Sequence, residues 1–158
     1  MIEYIVANLI CPFFGTIAFS VLFNVPKRFY LSCGITGTMG WIVYCLTVNL
    51  TSAAIASFLG TLVVVLISRM LTVRMKCPIT VFLISGIFPL VPGAGVYYTA
   101  YYLVMNQLGE AAQRGIGAIK VAFAIVLGIV CIVSIPREFF RPDYWRSRRL
   151  HKRKIQNS

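Results

Sequence analysis

The residues able to do chemistry in this 158-residue chain are few, and most lie near its ends. Its single histidine, His151, sits among Arg and Lys, and its four carboxylates are Glu3, Glu110, Glu138 and Asp143, at or beyond the edges of apolar runs. No acid–base pair, activated nucleophile or metal cluster can be assembled from them at membrane depth, so no catalytic residue, metal or cofactor is expected. The five cysteines, Cys11, Cys33, Cys45, Cys77 and Cys131, contain no C-x-x-C pair and read as small hydrophobes. What remains is backbone. Within residues 84–99, Pro89 and Pro92 each remove a helix donor and clash with the preceding turn, and Gly86, Gly93 and Gly95 stand beside them. A helix restarting at Gly93 presents free N–H groups and a positive dipole end to a carboxylate, so Pro89, Pro92, Gly93 and Gly95 are candidate substrate-binding residues. Tyr97 and Tyr98 follow closely enough to point a hydroxyl into a cavity at the break, whereas Tyr101 and Tyr102 suit an interfacial belt. Lys120 either snorkels outward or offers its cation to an anionic substrate.

The elements that hold this break are membrane spans. With 59% hydrophobic residues, 12% charged and a mean hydropathy of +0.84, the chain has more apolar surface than a soluble domain needs. Several runs approach the ~20 residues that cross a ~30 Å hydrocarbon core. The expected fold is an all-α integral membrane protein with five transmembrane helices, at about residues 2–23, 30–49, 51–71, 78–106 and 115–135. The fourth is broken at Pro-x-x-Pro-Gly. The first contains Asn8 and Pro12, and ends at Asn24-Val25-Pro26, where Pro26 biases Val25 away from helix. The second carries Ser32, Thr36 and Gly40 at four-residue spacing, with Gly37 between, and the third carries Ser52, Ala56 and Gly60. Such stripes let helices approach closely. Arg69 is expected to snorkel from the end of the third span, and residues 107–114 to form a polar connector in which Glu110 and Arg114 pair.

Charge orients these spans. Of fifteen Lys and Arg, eight fall after Ile135, so residues 1–136 read as the bundle and 137–158 as a basic tail. Placing the tail in the cytoplasm puts Lys27, Arg28, Arg69, Arg74 and Lys76 there too, with the N-terminus outside and only Arg114 and Lys120 on the outer side. A re-entrant loop at the break would put the tail or the first two clusters on the wrong face. Met1-Ile2-Glu3 lacks the positive n-region of a signal peptide, so the first run is read as a span. The tail suits anionic lipid. Nucleic acid is not an expected partner, because no aromatic-stacking module accompanies it.

Three segments carry a family likeness. Ala18 to Pro26, Cys33 to Gly40, and Phe88-Pro89-Leu90-Val91-Pro92-Gly93 with Tyr97 resemble the threonine/serine exporter family over about residues 1 to 135. The chain looks like the small, separately encoded C-terminal half of such an exporter. The resemblance implies a multi-pass protein of the bacterial inner membrane that exports small amino acids or dicarboxylates such as succinate, with a larger membrane subunit as partner. Its pattern falls on Asn24, Pro26, Pro89, Pro92, Gly93 and Tyr97, and the basic tail departs from it.

The expected function is therefore one subunit of a secondary exporter of carboxylate-bearing solutes. With no deep carboxylate for proton coupling and no internal repeat, five helices read as half of a transporter, completed by that larger subunit or by a homo-oligomer. The alternative is a non-transporting scaffold that docks a partner or lipid through its tail. The break speaks against it, since a scaffold has no need of interrupted backbone in hydrocarbon.

Overall fold

A computed structural model describes residues 2–135, with side chains described from Asn8 onward. The basic tail, with His151, Glu138 and Asp143, lies outside the described residues. Six helices follow in order: α1 (Ile2–Leu22), α2 (Tyr30–Val48), α3 (Ala53–Met75), α4 (Thr80–Ile87), α5 (Gly93–Val104) and α6 (Leu108–Val133). Turns of 3-10 helix precede α2 at Lys27–Phe29 and follow α4 at Phe88–Leu90, and no strand occurs among the described residues.

Lys27–Val48, α3 and α6 are long and apolar enough to cross a membrane, and Thr80–Leu90 with Gly93–Val104 forms a pair bent by 52° that can make a fourth span. The apolar part of α1, Asn8–Leu22, is shorter than these. Two expected boundaries move. α3 runs on to Met75, and the polar connector expected at 107–114 is mostly helix, because α6 begins at Leu108. Arg114 therefore rides on α6, with its guanidinium 5.9 Å from the centre of the Tyr98 ring.

Small hydroxyl residues share the interior with an apolar core, and large apolar side chains also cover the outside. Thr16, Ser20, Thr36, Ser57, Thr61, Ser68 and Ser85 are buried, while Phe14, Leu22, Leu31, Leu46 and Phe123 are exposed on the outside of the bundle. Most of the buried hydroxyls are satisfied within their own helices by donating to the carbonyl four residues back, as in Thr16 Oγ1 to Pro12 O (2.6 Å) and Thr61 Oγ1 to Ser57 O (2.7 Å). Small side chains inside let backbones approach, and large apolar ones outside meet lipid. A Cβ at Gly37 would fall 2.2 Å from Thr16 Oγ1, where α2 crosses α1. Where α2 crosses α3, a Cβ at Gly60 would fall 2.9 Å from the Gly40 carbonyl oxygen.

Helix ends explain two further motif residues. Asn24 adopts φ 54°, and the amides of Asn24 and Val25 donate to the carbonyls of Val21 and Ser20, a Schellman cap that Pro26 keeps from continuing as helix. Val25, buried, then packs with Phe29, Cys33 and Phe82 at the end of the bundle that carries Lys27, Arg28, Arg74 and Lys76. Asn106, at φ 57°, closes α5 in the same way through Asn106 N to Leu103 O and Gln107 N to Tyr102 O.

Arg69 is buried at the end of the bundle, and its guanidinium donates to the carbonyls of Ile135 and, at 2.8 Å, Val133. A cation there satisfies carbonyls that α6 leaves open at its C-terminus and opposes its negative dipole end.

Candidate substrate cavity at the helix break

The interruption between α4 and α5 has a defined shape. After the 3-10 turn at Phe88–Leu90, Val91 is extended (φ −63°, ψ 131°) and Pro92 (φ −77°, ψ 56°) centres an inverse γ-turn closed by Gly93 N to Val91 O at 2.8 Å. Two prolines are the local cause, since neither can donate to the ladder. Glycine is not needed here for a left-handed φ, because no glycine adopts one. Gly93 instead keeps space open: a Cβ built on it meets nothing within 4 Å. Gly95 allows close packing, with its added Cβ falling 3.2 Å from Ala118 Cβ on α6.

This backbone leaves polar groups unpaired. Pro92 has no N–H, Gly93 uses its own in the γ-turn, and Val96 donates to Pro92 O, so the amides of Ala94 and Gly95 have no acceptor among the described residues. The carbonyls of Pro89 and Leu90 likewise receive no donor there. All four residues line one cavity of about 690 Å³. Its other walls are Trp41 and Tyr44 of α2, Ala53 and Ser57 of α3, and Gln113, Arg114 and Ala118 of α6. Ser57 is buried, and its hydroxyl makes no hydrogen bond within the described residues. Arg114 is the cavity's only cationic side chain among the described residues.

The expected site residues are thus brought together in part. Pro89, Pro92, Gly93 and Gly95 share the lining. Tyr97, 64% exposed, is not part of that lining, and Lys120, exposed two turns along α6 from the lining Gln113, is not part of it either. Gly40 forms a backbone crossing beneath Leu90, and Gly37 another against α1, while Asn24 and Pro26 lie at the far end of α1. Tyr44, Ser57 and Arg114 went unrecognised in the sequence. Arg114 was within reach of pattern reading, because Ala111, Gly115 and Ala118 form a small-residue stripe that continues α6 back past it. No group of His, Cys, Asp or Glu able to hold a metal occurs among the described residues.

An all-helical bundle with large apolar side chains outside and an interrupted span over a polar-edged cavity has the architecture of a membrane solute carrier. A profile of the family described as "Threonine/Serine exporter, ThrE" matches residues 8–135, and the chain belongs to that family. It is a family of transporters and not of enzymes. No curated protein and no solved structure matches the chain.

Proposed function

We propose that this chain is one subunit of a secondary exporter in the bacterial inner membrane, moving small carboxylate-bearing solutes of the threonine and serine class. The observation that carries this reading is the set of unpaired backbone groups on one cavity: the amides of Ala94 and Gly95 together with the carbonyls of Pro89 and Leu90. Amides at the start of a helix attract a carboxylate, and exposed carbonyls attract an ammonium, so the break suits a zwitterion. Arg114 adds charge for the carboxylate and Ser57 a hydroxyl for the substrate's polar side chain. The dicarboxylate reading, with succinate as substrate, draws on Arg114 as the partner of a second carboxylate.

In this reading the chain crosses the membrane five times, α4 and α5 together making one crossing, with the N-terminus outside and the cation-bearing end, tail included, in the cytoplasm against anionic lipid. The cavity then lies in the outer half of the bundle. A larger membrane subunit or further copies of this chain complete the pathway and supply the coupling carboxylate that the spans lack. Tyr97 and Lys120, off the cavity lining, serve contacts with lipid or that partner.

Replacing Pro92→Ala together with Gly93→Leu takes away the proline that centres the γ-turn and adds a side chain at a position where a Cβ meets nothing within 4 Å. Efflux of radiolabelled threonine from cells expressing both subunits is expected to fall roughly tenfold or more, the loss of one or two charge-assisted hydrogen bonds at ~1.5–3 kcal/mol each. Unchanged efflux at equal protein level would reject the site. Competition between threonine and succinate in the same assay decides between zwitterion and dicarboxylate.

A further inference from the structure

Between the cavity and the cation-bearing end the bundle offers two ways past the break, and they are built differently. The central way, between α2 and α3, is closed by backbone. Leu90, 4% exposed, sits over the Gly40–Gly60 crossing, and Val64 beside it and Phe82 further along are fully buried. Opening it requires parting two helices whose backbones touch.

Along α1 the contacts found in the way are between side chains. A second hollow of about 220 Å³, open on the outer side where Cys11 is exposed, is lined by Asn8, Cys11, Pro12, Trp41 and Pro89, and it shares Trp41 and Pro89 with the main cavity. A third, of about 180 Å³, lies further along α1 beside Phe23, Asn24 and Pro26. Phe88 stands at the break between these two, stacked on Phe19 at 3.7 Å between ring centres and 5.4 Å from Phe23. Trp41 is held in place by two contacts. Its Nε1–H donates to Asn8 Oδ1 at 3.2 Å, and its ring stacks on Tyr44 at 5.2 Å.

We propose that the route past the break runs along α1, with the Trp41 indole, latched by Asn8, and the Phe19–Phe88 stack as its two side-chain gates. This rests on the transport reading above. Aromatic rotation needs no separation of helices, whereas the central seal yields only if the Gly40–Gly60 contact opens, so the α1 side is the path of least rearrangement. It also gives the Phe23–Pro26 segment a place on the route, lining its last compartment.

Cys11 reports on both gates because it lines the compartment between them, and its exposed side faces lipid. The full chain, with the other four cysteines replaced by alanine, is placed in membrane vesicles opened to solution on both faces. Cys11 is then labelled with a charged, lipid-insoluble methanethiosulfonate. Labelling is expected to be slow with both gates intact and about tenfold faster in Trp41→Ala and in Phe88→Ala, since it tracks the fraction of time the compartment is open. Trp41→Phe keeps an aromatic ring, though a smaller one, and loses the latch, so a smaller rise is expected in a variant that preserves most of the packing. Leu90→Ala, which loosens only the central seal, should leave the rate unchanged. The proposal is overturned if Cys11 stays slow in Trp41→Ala and Phe88→Ala while a Ser57→Cys reporter in the main cavity labels readily. It is equally overturned if Cys11 labels as fast as Ser57→Cys with both gates intact, or if Leu90→Ala alone exposes it. Labelling requires no flux. Absent threonine efflux from the parent chain with its partner, alongside gated labelling, would reject the transport reading and leave the route standing.

Discussion

α4 and α5 are the two halves of one bent pair, yet α4 lies inside the bundle and α5 on its margin. α4 buries Phe82 completely, with Ser85 and Gly86 beside it, and packs against α1, α2 and α3. α5 buries no residue and packs chiefly against α6. Small residues account for the difference. A Cβ on Gly86 would fall 3.0 Å from Thr36 and 3.1 Å from Val64, so glycine there admits α4 to the α2–α3 groove. α5 offers Gly95 and Thr99 to Ala118 and Gly115 of α6, and turns Tyr97, Tyr98 and Tyr101 outward. A prolyl break therefore separates an anchored half from one tied to a single neighbour, and the cavity opens on the loosely held side. That division suits a site that must change shape.

The sharpest way to break this comparison is to delete one aromatic from each half. Phe82→Ala is expected to cost about 3–5 kcal/mol of stability, as for a fully buried ring, seen as a large drop in thermal unfolding temperature in detergent. Tyr97→Ala should change it by less than about 0.5 kcal/mol. Equal losses would mean that α5 is as firmly held as α4. Glycine substitutions make the next contrast. Gly86→Leu overpacks the groove at a cost of about 1–3 kcal/mol, while Gly93→Ala, with open space around its Cβ, is expected to be neutral or to gain up to ~1 kcal/mol from helix propensity.

Arg69→Met tests whether the end of α6 depends on its guanidinium. Faster amide hydrogen exchange confined to the last turns of α6 is expected, from the loss of charge-assisted bonds worth about 1.5–3 kcal/mol. The smallest effect concerns the cavity edge. Arg114→Gln removes an exposed cation and should raise the KM for efflux a few-fold with stability unchanged, in keeping with about 1 kcal/mol for a partly solvated charge pair. An unaltered KM would leave carboxylate recognition to the amides of Ala94 and Gly95.

Much of this was legible in one dimension, where the determining property is local. The apolar runs specify a helical membrane protein because hydrocarbon accepts little else. The position of the break follows from Pro89 and Pro92, whose missing donors no tertiary contact can restore, and the chain end at Asn24-Val25-Pro26 from the ring that bars further helix. Family membership followed from the same segments. Facing did not. Which side of a helix meets a cavity depends on its rotation about its own axis, about 100° per residue, and on where it begins. α6 starts at Leu108 instead of near 115, which puts Arg114 on that helix and on the cavity lining, whereas Lys120, two turns beyond the lining Gln113, is not part of it. Tyr97 turns outward because Gly95 and Thr99 claim the face toward α6. Arg69, one cation among several at the end of a span in the sequence, becomes a buried cap only because α6 ends beside it. Composition and proline chemistry determined that there is a membrane bundle with a broken helix; the close approach of small residues between helices, which exists only in three dimensions, decided which side chains surround the break.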